Sequence, residues 1–252
     1  MHTKEIRKKH KRMGAKKLYE KLASKFAKLG IKCGRDNYID ILREEDLLVK
    51  YRKRYVTTTQ SKHMFFKYGN LIKDLKVTGA EQVYVSDITY IRTKKGFLYL
   101  YLITDLYSKQ IMGWALSDNL KTINAIAALQ MALKNRRYPN RKLIHHSDRG
   151  FQYCNPEYTK VLEANNIAIS MTTKYDPYEN AVAERVNGIL KNEYEIEGCF
   201  EGESDARREI NYAIWLYNND RPHMSCKMLT PAKAHVIGTY KLKYWGRKKE
   251  KR

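Results

Sequence analysis

Three carboxylates of this chain stand in settings that suit chemistry. In "VYVSDITYI", period-two alternation puts Asp87 on the strand face shared with Val83, Val85 and Ile91, so its carboxylate points where its neighbours bury themselves. An ionised Asp there is costly unless something neutralises it. In "HHSDRG", Asp148 follows the strand-like run "RKLIHH", and ligands of open α/β sheets gather beyond the carboxyl ends of strands. Asp, Ser and Gly are also ordinary turn residues, so Asp148 taken alone could simply close that strand. The third acid lies on "ENAVAERVNGILKNE", where helical stepping groups Asn180, Glu184, Asn187 and Lys191 on one side and Val182, Val186 and Ile189 on the other. Brought together, such acids would repel by about 1 to 4 kcal/mol per close pair, and cations would reverse that. Hard oxygen donors with open positions suit Mg²⁺ or Mn²⁺. Two such ions about 3.5–4 Å apart can activate a water or a 3′-hydroxyl and stabilise the leaving oxygen of a phosphodiester. The chemistry expected of Asp87, Asp148 and Glu184 is two-metal phosphoryl transfer.

Such acids need a sheet and helices to hold them. "QVYVSDITYI", "FLYLYLIT" and "KQIMGWAL" are rich in β-branched and aromatic residues and are separated by "TKKG" and "DLYS", which predicts a three-stranded antiparallel meander. A helix over "KTINAIAALQMALKNR", the strand "RKLIHH", a helix near "NPEYTKVLEAN", the short strand "IAIS" and a helix from about Glu179 follow. Meander first and alternation afterwards give an α/β domain with a mixed sheet. Asp105 is expected to close the "DLYS" hairpin. His145 and His146 are expected to pack or turn, because imidazole suits softer metals than Mg²⁺.

Charge names the partner. Lys plus Arg total 49 against 27 Asp plus Glu, a net charge of +22 in 252 residues. That excess repels itself unless a polyanion neutralises it, and nucleic acid is the leading one. An anionic membrane surface is the rival, but no apolar run is long enough to span a bilayer and the first residues lack the apolar core of a signal peptide. A cytoplasmic protein is the simplest expectation. Cys33, Cys154, Cys199 and Cys226 are scattered without a C-x-x-C pair, so neither a zinc knuckle nor a disulfide framework is indicated.

Residues 1–62 hold 19 Lys or Arg against 7 acids. Within them "GAKKLYEKLASKFAKL" sets Leu18, Leu22, Phe26 and Leu29 at helical spacing, and "DNYIDILREEDLL" is a second helix-like run after "GIKCGR". The pair suggests a basic helix-turn-helix-like segment over 1–50, although a helical hairpin that merely packs on the next domain fits the spacing equally. A linker over 51–80, a core over 81–237 and a basic tail over 238–252 complete the expected organisation.

"SDITYI", "HHSDRGFQY", "PYENAVAERVNGILKNE" and "YNNDRPH" followed by "LTPAKAH" resemble, in that order, the second-frame transposases of insertion sequence family three. With 35 residues between Asp148 and Glu184 and Asp87 upstream, the acids resemble the DDE motif of retroviral integrases and bacterial transposases. The resemblance runs from about residue 13 to 237 and includes the N-terminal helical segment. It implies an RNase H-like five-stranded mixed sheet flanked by helices, with Asp87, Asp148 and Glu184 as catalytic metal ligands for Mg²⁺ or Mn²⁺. Lys191 matches the family's basic residue seven after the Glu, which contacts element-end DNA. Asn180, Asn187, Arg149 and Arg221 are the further candidates for DNA contact. Family members nick the element end and join its 3′-hydroxyl to a target strand, often through a circular intermediate, so DNA integration and recombination by a bacterial, nucleoid-associated enzyme is the implied function. Where the family usually has Asp-Asn-Ala this chain has Glu179-Asn180-Ala181, a charge-conserving departure. No heptad zipper is legible in the sequence. The resemblance implies an upstream-frame partner, or a frameshift fusion to it, bringing a further helix-turn-helix and a leucine zipper, with a homo-oligomer assembled on DNA. A regulator from a decayed element that binds DNA without chemistry, and a nuclease of the same fold that cuts without joining, are the alternatives.

Overall fold

The structure, a computed structural model, describes residues 2–49, 64–173 and 180–239. Much of the expected linker, Glu179 and most of the expected C-terminal tail lie outside the described residues. Three N-terminal helices, α1 (His2–Lys9), α2 (Ala15–Lys28) and α3 (Arg35–Glu44), close around Met13, Leu18, Leu22, Tyr38 and Leu42. The two helices expected from the spacing are α2 and α3. Helix α1 precedes them, in a stretch legible only as basic. Leu29 does not join the apolar face. It caps α2 and is 56% exposed, and Gly30 at φ 68 turns the chain away.

The core begins with an antiparallel meander of β1 (Val83–Thr93), β2 (Gly96–Asp105) and β3 (Ile111–Ser117). Helix α4 (Thr122–Lys134), β4 (Ile144–Ser147), α5 (Phe151–Cys154), α6 (Pro156–Ala164) and β5 (Ala168–Met171) follow, then α7 (Ala181–Glu193), α8 (Glu203–Asn219) and α9 (Pro231–Ile237). The sheet order is β3-β2-β1-β4-β5, with β4 parallel to both β1 and β5. This is the expected mixed five-stranded sheet. Local chemistry sets several boundaries. Asn155 accepts from the Glu157 N–H and Thr230 from the Lys233 N–H, each followed by a proline that can only start a helix. Helices α5, α8 and α9 lie outside the elements expected from the sequence, and β4 starts later than "RKLIHH" and runs through Ser147.

Helices cover both faces. On one, Ile91, Leu98, Leu100 and Leu102 pack against Val186, Ile189 and Leu190 of α7 and Ile210, Ile214 and Tyr217 of α8. On the other, Tyr101, Ile103 and Met112 meet Ala125, Ala128 and Leu129 of α4 and Tyr158 and Leu162 of α6. Helix α4 crosses β3 so closely that a Cβ on Gly113 would stand 2.1 Å from the Ala128 carbonyl oxygen. Only glycine permits that approach. Among the described residues no helix is long and apolar enough to cross a membrane.

Candidate active site

Parallel pairing of β1 with β4 sets Val83 opposite Ile144, Tyr84 opposite His145 and Val85 opposite His146. Carried two residues on, that register brings Asp87 level with Asp148, the first residue beyond β4. Asp87 is in mid-strand, paired across to Leu102 of β2. Asp148 is fixed by a turn, in which its Oδ1 accepts the Gly150 N–H at 2.9 Å. A Cβ at Gly150 would stand 2.9 Å from that same oxygen, so a larger residue there would push the carboxylate out of its turn. "SDRG" closes a strand and aims a carboxylate at the same time.

Helix α7 brings the third acid. Val186, Ile189 and Leu190 seat it on the sheet, while Ala183 packs with Val83 and Val85. Two amides then pin it to β1. Asn180 Nδ2 donates to the Ser86 carbonyl at 3.1 Å, and Asn187 Nδ2 donates to Asp87 Oδ2 at 2.8 Å. These residues stand four before and three after Glu184, so the helix is fixed on both sides of the acid. The polar side read from the sequence therefore divides. Asn180 and Asn187 are buried beneath the helix, Glu184 is exposed in its first turn, and Lys191 is half-buried in its last. The expectation that Asn180 and Asn187 face DNA is corrected by their burial and their donors' intramolecular partners.

Electrostatics shows that the acids share one environment. Burial, then the charge of Asp148, with Glu184 adding to it, pushes Asp87 up to about 7 against the bonds from Asn187 and the Ile88 N–H. Burial and Asp148 raise Glu184 as well. Burial lowers Lys191, while Glu197 and Asp87 favour its charged form. Three mutually repelling carboxylates are a donor set for a hard divalent cation. Asn180 Oδ1 and Asn187 Oδ1, buried with no hydrogen-bond partner among the described residues, add unsatisfied hard oxygens on the same helix. The donor chemistry fits Mg²⁺ or Mn²⁺. The side chains are gathered without being closed into a cage, since among the described residues no group of three or more His, Cys, Asp or Glu is placed to hold one ion.

The other expected site residues separate. Arg149 is half-buried beside Asp148. Arg221 is 3% exposed, with Nε and Nη2 donating to the two carboxylate oxygens of Glu193 at 2.8 and 2.9 Å. A guanidinium enclosed and neutralised in this way has no free face for a phosphate, which corrects its assignment to DNA. Asp105 is fully buried and accepts from the Ser108 N–H and hydroxyl at 2.6 Å, closing the hairpin. His145 is buried between the Ser86 hydroxyl at 2.7 Å and the Tyr158 hydroxyl at 2.8 Å, and His146 bonds Ser170. Unforeseen in the sequence is the role of Glu193. It also takes Lys17 of α2, while Asp220 takes Lys21 and, at 2.7 Å, His10 Nε2. Lys17 and Glu193 are 176 residues apart, and no local pattern relates them.

The chain is similar to known proteins in sequence and fold. The integrase core domain family matches residues 77–177, and a second integrase core domain family matches residues 165–231. The chain is 35% identical over 214 residues to the insertion element IS600 uncharacterized 31 kDa protein of Shigella sonnei, covering 84% of this chain and 78% of that one. It is 36% identical over 197 residues to transposase InsF for insertion sequence IS3A of Escherichia coli (strain K12), covering 75% of this chain and 66% of the relative's length. Among solved structures, the HTLV-2 integrase catalytic core domain in complex with magnesium (trimeric form) aligns with a TM-score of 0.50 at 20% identity, over 62% of this chain and 96% of that one. A chain of the simian T-cell lymphotropic virus intasome in complex with PP2A regulatory subunit B56 gamma aligns with a TM-score of 0.55 at 16% identity, over 98% of this chain and 78% of that one. At these identities the structural likeness is one of fold.

Proposed function

Because this chain belongs to insertion sequence family three of transposases, on an integrase core, we propose that it cleaves the ends of its element and joins the freed 3′-hydroxyl to target DNA at Asp87, Asp148 and Glu184. The family acts in DNA transposition and integration, which makes a polynucleotidyl transferase the activity class. One observation supports the finer reading most strongly. Asp87 lies level with Asp148 on parallel neighbours while Asn187, three residues after Glu184, bonds Asp87 itself.

In this reading the three acids hold two Mg²⁺ or Mn²⁺ ions. When bound, those ions lower the pKa of the attacking hydroxyl and stabilise charge on the leaving oxygen. The protein's part is placement. The β1 ladder fixes Asp87, the Asx turn at Gly150 aims Asp148, and Asn180 and Asn187 hold α7 against β1 on either side of Glu184. Lys191 on the same helix and Arg149 beside Asp148 are the proposed contacts to element-end DNA. The chain works as a homo-oligomer on DNA at the nucleoid, with an upstream-frame product supplying a further helix-turn-helix and a zipper. Residues 1–50, 51–80, 81–237 and 238–252 serve as DNA-binding segment, linker, catalytic core and basic tail.

The test is substitution of each acid. Asp87→Asn, Asp148→Asn and Glu184→Gln should each abolish cleavage and joining in Mg²⁺ with DNA affinity nearly intact. Strand transfer near the unaltered level in any one of them contradicts the assignment.

A further inference from the structure

We propose that the N-terminal module meets duplex DNA through α1 and the turn after it, by way of Lys4, Lys8, Lys9 and Lys11, and not through α3. This deepens the DNA-transfer reading and rests on it. In a helix-turn-helix the second helix of the pair lies in the groove, and here that helix would be α3. Its charge opposes the task. From Arg35 to Asp46 the chain carries Arg35 and Arg43 against Asp36, Asp40, Glu44, Glu45 and Asp46, a net charge of −3. Both arginines are already paired, Arg35 with Asp36 and Arg43 with Asp40. A phosphate approaching α3 meets repulsion.

Helix α1 has the opposite character. Lys4, Arg7, Lys8, Lys9, Lys11 and Arg12 face a single acid, Glu5, which is bonded to His2. Lys4, Lys8, Lys9 and Lys11 are all exposed, and none forms a salt bridge among the described residues. Of the other cations in the module, Lys17 is committed to Glu193 of the catalytic core and both Lys21 and His10 to Asp220, while Lys16, Lys25, Lys28 and Lys32 are exposed on α2 and just after it. The Arg12 N–H also donates to the Glu193 carbonyl at 3.1 Å. These bonds orient the module, since Glu193 ends the helix whose first turn carries Glu184. The two are roughly 14 Å apart along the axis at about 1.5 Å per residue. A duplex with its end at Glu184 that follows α7 past Lys191 arrives at the turn bearing Lys11, beside the lysines of α1. Backbone contact of this kind carries affinity and no sequence information.

The experiment compares two variants of the full chain for binding to a duplex of random sequence, titrated across salt. One is Lys4→Ala with Lys8→Ala, Lys9→Ala and Lys11→Ala. The other is Arg35→Ala with Arg43→Ala. Each phosphate contact contributes about 0.9 to the slope of log affinity against log salt, so the α1 variant should lose about 3 to 4 units of slope and the α3 variant none. An unchanged slope in the α1 variant, or an equal loss in the α3 variant, overturns the proposal. Binding is read without strand joining, so failure here and failure of the catalytic reading appear in separate assays.

Discussion

Asp87 is the residue whose environment makes the sharpest statement. A carboxyl raised from its ordinary value to about 7 stays protonated in the folded state while the unfolded chain has already ionised. Ionising it in place costs folding energy, and that cost accumulates as pH rises from about 4 to about 7 and is then constant. Asp87→Asn should therefore stabilise the metal-free protein at pH 8 by on the order of 1 kcal/mol, a rise in Tm of about 2–4 °C, and do little at pH 4. Thermal melts at the two pH values check this, and a drop in Tm at pH 8 contradicts it. Asn187 should behave as a positioning residue. Asn187→Ala frees Asp87 Oδ2, and the resulting misplacement should lower strand transfer by about 10²-fold with DNA affinity retained. Equal losses of rate and affinity would assign it to DNA instead. The acids themselves were legible in the sequence because alternation, a strand end and helical stepping each leave a local signature. The burial of Asn180 and Asn187 was not, because an amide on a polar stripe looks identical whether it faces water or a carboxylate beneath the helix.

At the scale of elements, α7 links the site to the rest of the protein. Its first turn holds Glu184 and its last residue, Glu193, is held down to about 2: burial opposes this, and the bonds from Arg221 and Lys17 outweigh it. Breaking such a buried pair by removing one partner costs about 3–5 kcal/mol. Arg221→Ala should thus lower Tm by about 10 °C or more and loosen α2 from the core, which hydrogen exchange across Ala15–Lys28 would reveal as lost protection. Helix α9 is tied by His235 instead. Burial works against its charge, but the carboxylate of Asp105, 3.8 Å away, and the Glu81 carboxylate, hydrogen-bonded at 3.0 Å, push it up to about 9. Raised above its unfolded value of 6.5, it contributes stability that is complete below pH 6.5 and is lost as pH climbs through about 9. Comparing the pH dependence of Tm in His235→Gln should show that decline flattened between those limits, and parallel curves would contradict it. The strands and helices α2, α3, α4, α6 and α7 could be anticipated from their periods, whereas α5 is too short to show one.

For the whole molecule, a net charge of +22 and an exposed α1 foretell strong, salt-sensitive DNA binding with little sequence preference. In competition between element-end and random duplex at physiological salt, a preference of about 10³-fold or more would show instead that this chain is a complete recognition unit. The docking of the N-terminal module on the core could not be read from the sequence, because Lys17 meets Glu193 and His10 meets Asp220 only after folding. The family and its acids were legible because both reside in contiguous words such as "HHSDRG". The central claim is that those acids transfer strands, and one assay addresses it directly. Supplied with pre-nicked element-end DNA, a target duplex and Mg²⁺, the protein should yield products in which the end's 3′-hydroxyl is covalently joined to a target strand. Hydrolysed ends without joined product would identify a nuclease, unchanged DNA would identify a binding protein, and either result contradicts the account.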